Sequence, residues 1–409
     1  MFEVSKDFGV FLQYVPFFYD LCSTFRPVSG KTPPVHIVIA PDKFKGSLTG
    51  HQAAEAIRNG FAKKLPTATF ELLPLADGGE GILDAFKQAV SGTIQETTAL
   101  DANGREITAQ WLLADIEGRK TAVIESSQAI GLWRISADER DLSRASSYGA
   151  GQLIRAAVSE NVDEIIIGLG GSATNDAGLG LAAALGYRFL DLNGKIVEPI
   201  PANIPAISSI DSSAVIKLPT ITVACDVANP LLGPRGATQI YGPQKGLKQD
   251  ESEAAEAAHA HLTEVSQKHF DTRYGDTPGA GAAGGLGFGL MTFCGASLAS
   301  GFDCIAHALH AEEKISAADL VITAEGSLDH QTLEGKTPHG VSKLARKHNL
   351  PVYAIAGRIA DEDLLHEHFD GIASIVNTPM TLDEAIANAP HLLELAATRL
   401  AHTILNSKL

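Results

Sequence analysis

Apolar and polar positions along this chain alternate between two periods. Residues 35–40 form a short apolar run, the pattern of a strand covered on both faces. Ala53, Ala54, Ile57, Phe61 and Leu65 then recur at helical spacing until Pro66 stops the run. Residues 70–75 read as the next strand. Between 92 and 125 the character changes: Thr-rich runs flank Asp101-Ala102-Asn103-Gly104, a hairpin signal that predicts antiparallel pairing. A helix over 145–158, a strand over 164–167 and a helix over 176–185 follow. Asp191-Leu192-Asn193-Gly194 marks a second hairpin between 187–190 and 195–197, ahead of a strand over 221–224 and an Ala/Glu-rich helix over 249–270. Toward the C-terminus, strands at 319–323, 351–356 and 371–376 alternate with helices at 339–348 and 382–404. That βαβ rhythm predicts a parallel sheet.

The pattern predicts an α/β protein of two domains. The run at 35–40 resembles the C-terminal strands more than the hairpin-rich middle, so residues 35–73 plus 284–409 are expected to form one discontinuous parallel-sheet domain. Residues 74–283 are then an insertion with a mixed sheet. A chain of 409 residues fits two cores better than one. Residues 1–34 read as an extension without packed structure: Phe8, Phe11, Tyr14, Phe17 and Phe18 are interrupted by Lys6, Asp7 and Pro16, too often for a membrane span or a signal peptide.

A net charge of −16 disfavours nucleic acid and anionic membranes as partners. Four scattered cysteines form no CxxC pair, which points to a reducing cytoplasm. Neither an HExxH motif nor an EF-hand loop occurs, so a metal is expected to arrive with the substrate.

Candidate chemistry concentrates in five glycine-dense turns. They are Asp42-Lys43-Phe44-Lys45-Gly46-Ser47, Asp77-Gly78-Gly79-Glu80-Gly81, Gly170-Gly171-Ser172-Ala173-Thr174-Asn175-Asp176, Gly279-Ala280-Gly281-Ala282-Ala283-Gly284-Gly285 and Glu325-Gly326-Ser327-Leu328-Asp329. Such turns let backbone N–H groups converge on an anion. Carboxylates beside them make sense when a cation or a proton transfer is also involved, so the set points to phosphoryl transfer with a divalent metal. Each turn also has a plainer reading. Asp77 and Glu80 could cap a helix, as could Asn175-Asp176, while Lys43 and Lys45 could be solvated surface groups. Cys225 reads as a small buried residue, and Asp226 beside it as a candidate metal ligand or base.

Two motifs are decoys. Gly279-Ala280-Gly281-Ala282-Ala283-Gly284 has the letters of a dinucleotide fingerprint without a preceding strand, and Gly335-Lys336-Thr337 ends like a Walker loop whose first glycine is His330. Gly168-Leu169-Gly170-Gly171-Ser172-Ala173 is the better dinucleotide match. An NAD-dependent dehydrogenase is therefore the alternative enzyme, and a non-catalytic nucleotide-binding protein the alternative class.

In this order, the five turns resemble those of the type-1 glycerate kinase family, together with Cys225-Asp226-Val227 and Gln331-Thr332-Leu333-Glu334-Gly335-Lys336. The resemblance runs from about residue 36 to the C-terminus. Lys43 and Ala324 stand where Ser and Gly are commoner in that family. The resemblance implies a flavodoxin-like domain with an inserted α/β domain, ATP and Mg²⁺ as cofactors, and D-glycerate as acceptor, commonly at its 2-hydroxyl. The assembly expected is a monomer or homodimer.

On that basis Asp176, Lys45 and Asp77 are the expected catalytic residues and Asp226 and Asp329 the expected metal ligands. Substrate and nucleotide are expected on Asp42, Lys43, Gly46, Ser47, Gly78, Gly79, Glu80, Gly170, Gly171, Ser172, Thr174, Asn175, Gly279, Gly281, Gly284, Gly285, Glu325 and Gly326. Spacing alone leaves open which Asp serves as base. Asp42, Lys45, Asp77, Asp176, Asp226 and Glu325 are expected to face one cleft. A chain beginning at Pro34 is expected to keep wild-type turnover and melting temperature, checked by a coupled kinase assay and a thermal melt; a large loss of either would mean that the extension docks on the core.

Overall fold

The computed structural model describes residues 34–75 and 81–406. The extension before Pro34, and Asp77, Gly78, Gly79 and Glu80 of the second glycine turn, lie outside the described residues. The strands in chain order are β1 (His36–Ile39), β2 (Thr69–Leu72), β3 (Gly92–Leu100), β4 (Glu106–Ile116), β5 (Arg119–Glu125), β6 (Glu164–Gly168), β7 (Arg188–Leu190), β8 (Ser209–Asp211), β9 (Thr220–Ala224), β10 (Ser297–Ala299), β11 (Leu320–Leu328), β12 (Val352–Ile359) and β13 (Gly371–Ser374).

They build two main sheets. The first, in the order β13-β12-β11-β1-β2, is parallel throughout and draws its strands from both ends of the chain. The second, β10-β9-β6-β5-β4-β3, is antiparallel from β3 to β5 and parallel from β5 to β10. This is the expected α/β architecture, a parallel sheet interrupted by an inserted mixed one. The antiparallel part begins at the turn predicted over 101–104, where the Asp101 carboxylate accepts from the N–H groups of Asn103 and Arg105, both at 2.9 Å.

Strand alternation explains the layering. On β1, Ile37 and Ile39 pack against helices Gly50–Ala62 and Ala389–Asn406. Val38 and Ala40 point the other way, into a cluster that also holds Ile82, Leu83 and Phe86 of helix Ile82–Ala89 and Phe302 and Ile305 of helix Gly301–Ala308. Leu112, Val123 and Ile166 of the second sheet close the same cluster from the far side. Two helices thus lie between two sheets in one continuous apolar layer.

Three features differ from expectation. The chain changes sheets after β10 rather than at 284: helix Ala282–Cys294 buries Leu286 and Leu290 with Ile165, Ile167 and Val223 of the second sheet, and β10 extends that sheet. This helix carries almost no polar side chain, so its pattern does not say which sheet covers it. Second, β7 takes β8 as its ladder partner, while the hairpin turn predicted at 191–194 is present but short, closed by Asp191 N–H to Lys195 O at 2.9 Å, Val197 N–H to Phe189 O at 2.8 Å and the isolated bridge Leu190↔Ile196. Third, the helix expected over 382–404 breaks at Asn388, whose side-chain amide donates to Glu384 O at 2.8 Å and offers the backbone an alternative to continued helix.

Gly60 marks a close helix contact. A Cβ at Gly60 would lie 2.5 Å from Glu394 O and 2.6 Å from Ala397 Cβ. Gly60→Ala is therefore expected to cost about 1–3 kcal/mol of stability through overpacking, read as a lower denaturation midpoint in urea.

Candidate active site

The order of the first sheet creates a crevice. β1 and β11 are neighbours, but the chain leaves β1 toward β2 on one side and β11 toward β12 on the other. Loops that diverge from adjacent strands open a binding site at the carboxyl edge. Asp42 emerges there, tied by its N–H to Ala324 O at 2.8 Å. Its carboxylate is buried: one oxygen accepts from Lys43 N at 2.6 Å and the other from Thr337 Oγ1 at 2.8 Å. Thr337 opens helix Thr337–Lys347, whose N-terminal dipole favours the negative charge.

Glu325 lies on β11 beside Asp42, equally buried, and its Oε1 accepts from Thr332 Oγ1 at 2.8 Å. Burial pushes the Glu325 pKa up to about 7. The Thr332 hydrogen bond and the Lys336 charge work against that rise, and the charges of Asp42 and Asp329 add to it. Asp329 is held locally, its N–H donating to Thr332 Oγ1 at 3.1 Å and its carboxylate accepting from Ser327 Oγ at 3.3 Å. Three carboxylates and one lysine therefore share this edge.

Next to them is a cavity of about 370 Å³ whose walls include Asp42, Lys43, Lys45, Gly46, Ser47 and Gly81. Gly326 adjoins it, since a Cβ there would sit 3.6 Å from Lys45 N. Lys43 extends to Gly81, its Nζ 3.8 Å from where a Gly81 Cβ would be, and its charge acts on Glu125. Glu125 ends β5 in the second sheet. Its Oε2 accepts from Gly81 N at 3.0 Å and Leu83 N at 3.4 Å, so it caps helix Ile82–Ala89, and its Oε1 accepts from Ser127 Oγ at 2.7 Å. Burial pushes its pKa up against those hydrogen bonds and against Lys43. Lys43 thus links a loop of the first sheet to a carboxylate of the second.

The remaining turns pack on one another at the carboxyl edge of the second sheet. A Cβ on Gly281 would lie 2.2 Å from Pro230 O. Gly284, at φ +72°, could carry no side chain at all, because its Cβ would stand 1.9 Å from Thr174 O and 2.9 Å from Lys245 Nζ. Asp226 Oδ1 accepts from Gly301 N at 2.8 Å and Ser300 Oγ at 3.1 Å, capping helix Gly301–Ala308. Burial pushes the neighbouring Cys225 thiol up to about 11, as suits a small buried residue rather than a nucleophile.

Asp176 is fully buried. Its Oδ2 accepts from Ser147 N at 2.7 Å, Ser147 Oγ at 2.8 Å and Gly180 N at 3.1 Å, and its Oδ1 from Gly178 N at 3.2 Å. These donors belong to the starts of helices Tyr148–Ser159 and Leu179–Leu185. Beside it, Lys245 donates to Ser172 Oγ at 2.8 Å and Thr174 O at 2.7 Å.

The structure therefore gathers Asp42, Glu325 and Asp329 at one edge and places Lys43, Lys45, Gly46 and Ser47 on the cavity wall. It engages Asp226 and Asp176 at helix starts. Glu125 and Lys245 were not singled out from sequence, and Thr332 and Thr337 stood there only within the resemblance stretch and the Walker look-alike, with no role of their own. Glu125 had a usable signal, an acid ending an apolar run just as Asp226 does; a lone lysine between Gly242 and Gly246 had none. Neither dinucleotide look-alike has the required context: β6 ends at Gly168 but the next helix starts only at Leu179, and the segment before Gly279 is not a strand.

An open α/β fold with lysines, buried carboxylates and glycine turns at its sheet edges has the make-up of a phosphotransferase. The model of the Glycerate kinase family matches residues 37–405. The chain is 41% identical over 373 residues to a glycerate kinase of Bacillus subtilis (strain 168), covering 90% of this chain and 97% of that protein. It is 40% identical over 373 residues to a glycerate 2-kinase of Escherichia coli (strain K12), with the same coverage of 90% and 97%. A solved structure from Salmonella typhimurium LT2, provisionally named glycerate kinase 2, matches with a TM-score of 0.81 at 38% identity, over 92% of this chain and 99% of that one. The chain belongs to the glycerate kinase family.

Asn caps a helix about as well as Asp but cannot accept at both oxygens. Asp176→Asn is expected to leave buried donors unpaired and cost about 1–3 kcal/mol, measured by urea denaturation. Unchanged stability would show that the cap contributes nothing.

Proposed function

We infer that this protein is a glycerate kinase that transfers the γ-phosphoryl group of ATP to a hydroxyl of D-glycerate, and we propose the 2-hydroxyl as acceptor. The observation that carries the reading is the meeting of Asp42, Glu325 and Asp329 with the lysine-lined cavity at the switch point of the first sheet. Phosphoryl transfer depends on positioning and charge neutralisation. Lys45 and Lys43 would offset the charge of the glycerate carboxylate and the transferred phosphate, and the N–H groups around Gly46 and Ser47 would hold anionic oxygens. Glu325 would take the hydroxyl proton, because burial brings its pKa to about 7, close to the working pH of a general base.

The carboxylates also fit Mg²⁺. Among the described residues no group of three or more His, Cys, Asp or Glu side chains could hold a metal by itself. Mg²⁺ bound with a nucleotide is commonly held by one or two carboxylates together with the phosphates. Asp42, which lines the cavity, and Asp329 beside it would hold the ion, rather than Asp226, which is not among the cavity residues. Bound there with ATP, Mg²⁺ would supply charge neutralisation at the phosphates. Among the described residues no helix is long and apolar enough to cross a membrane. We place the enzyme in the cytoplasm, as a monomer or homodimer acting on small molecules.

The test is ADP release with ATP, Mg²⁺ and D-glycerate, with ³¹P NMR to separate 2- from 3-phosphoglycerate. Glu325 must be ionised to accept a proton, so kcat/KM is expected to rise as pH rises through about 7. Glu325→Gln is expected to lose about 10²–10⁴-fold in kcat along with that rising limb. A variant that keeps both would remove Glu325 from the proton transfer.

A further inference from the structure

Beneath the Gly170–Asp176 turn lies a polar cluster that this mechanism leaves unused. Lys245 is 2% exposed, in a short helical turn, Pro243–Lys245, of the second-sheet unit. An ammonium is costly to bury, and a neutral residue of similar volume would stabilise the fold more readily. Yet both of the Lys245 hydrogen bonds go to the turn, one to the Ser172 hydroxyl and one to the Thr174 carbonyl. The turn shows further uncompensated polarity. Thr174 Oγ1, a hydroxyl that can donate to an anion, is buried without a partner among the described residues. Native proteins rarely leave such an atom unpaired unless a ligand or water completes it.

We propose that Lys245 is a positioning residue for nucleotide phosphate: its ammonium makes the Ser172 hydroxyl an acceptor on the inner side, so that the hydroxyl proton is left to donate to a phosphate oxygen on the Gly170–Asp176 turn. This rests on the glycerate kinase reading above. The chemistry follows from donor counts. An ammonium has three protons and no lone pair, so a hydroxyl facing it can only accept. Ser172 has one proton to give, and among the described residues nothing takes it. Asp42, Lys43 and Lys45 lie on the first sheet, whereas Ser172 would be a donor contributed by the second.

Charge state decides the direction of the bond. Asp176 on the same turn supports the ammonium, while burial pushes Lys245 down to about 7. From helix Ser252–Phe270, His259 faces the pair; its pKa is lowered, first by burial, and Lys245 contributes to that lowering. Arg140 approaches from outside and donates to Gln244 O at 3.0 Å. As pH rises through about 7, Lys245 becomes a neutral amine with a lone pair. Ser172 can then turn its proton inward and stop donating to phosphate. Binding of ATP should therefore weaken on the alkaline side, opposite in sign to the Glu325 limb.

Wild-type turnover on ATP and D-glycerate is measured first, because its absence would overturn the kinase reading and leave this one to be judged on binding alone. Affinity for a non-hydrolysable ATP analogue with Mg²⁺ is then titrated across pH 6–9 in the wild type, Ser172→Ala, Lys245→Met and the double variant. Each single variant is expected to bind about 10- to 100-fold more weakly at pH 6.5, the size of one hydrogen bond to a charged group. The double variant is expected to be no weaker than Lys245→Met, because the two residues act through one contact. Ser172→Ala is also expected to lose the alkaline weakening seen in the wild type. Wild-type affinity in Ser172→Ala, multiplying losses in the double variant, or an alkaline limb that survives Ser172→Ala would each overturn the proposal. Should Lys245→Met fail to fold, the pH titration of Ser172→Ala decides alone.

Discussion

Carboxylates brought to one sheet edge repel one another, and most of the local structure around β1 and β11 offsets that repulsion. Asp42 takes a threonine hydroxyl and a helix start, Glu325 takes Thr332 and the field of Lys336, and Asp329 takes Ser327. These partners reduce the excess charge without cancelling it: burial is the main reason the Glu325 pKa stands high, and the Asp42 and Asp329 charges still add to the rise. In the function proposed above, a site with residual negative charge beside two lysines would suit a ligand that brings both anionic oxygens and a cation. Magnesium–ATP with an acidic acceptor has that composition.

The same need ties the two sheets together. Glu125 belongs to the second sheet, yet its carboxylate caps the helix that follows the first sheet's β2, and it sits in the field of Lys43 from the loop after β1. Asp226 does the equivalent for helix Gly301–Ala308. Both capped helices are the ones buried between the sheets. The apolar layer and the polar edge therefore specify one relative position of the two halves, and any movement that opens the cleft must also disturb a cap.

Much of this was legible along the chain. Short apolar runs such as 35–40 and 319–323 identify doubly covered strands, and the Asn-Gly turn at 103–104 identifies the hairpin, because those signals are local. The change of sheet at 300 was not legible, since helix Ala282–Cys294 is apolar all round and offers no face to read. The acids at strand ends could be found as candidates, but their work depends on partners far away in sequence: Thr337 is 295 residues from Asp42. Asp176 looked the same as Asp42 on paper. What separates them is position: Asp176 has four donors on its two oxygens, whereas Asp42, bonded at both oxygens too, lines the lysine-walled cavity.

The interleaved strand order has a consequence for how the chain reaches this state. Thr323 donates to the carbonyl of Ala40, 283 positions away in sequence, and β1 is flanked on its other side by β2 alone. During synthesis the first two strands emerge early but lack a central neighbour until β11 is made, near the end. The second sheet can pair its own strands well before that. Folding should run from the middle of the chain outward, with β1 and β2 held in waiting as an incomplete, apolar edge, the kind of exposed intermediate that long-range pairing imposes.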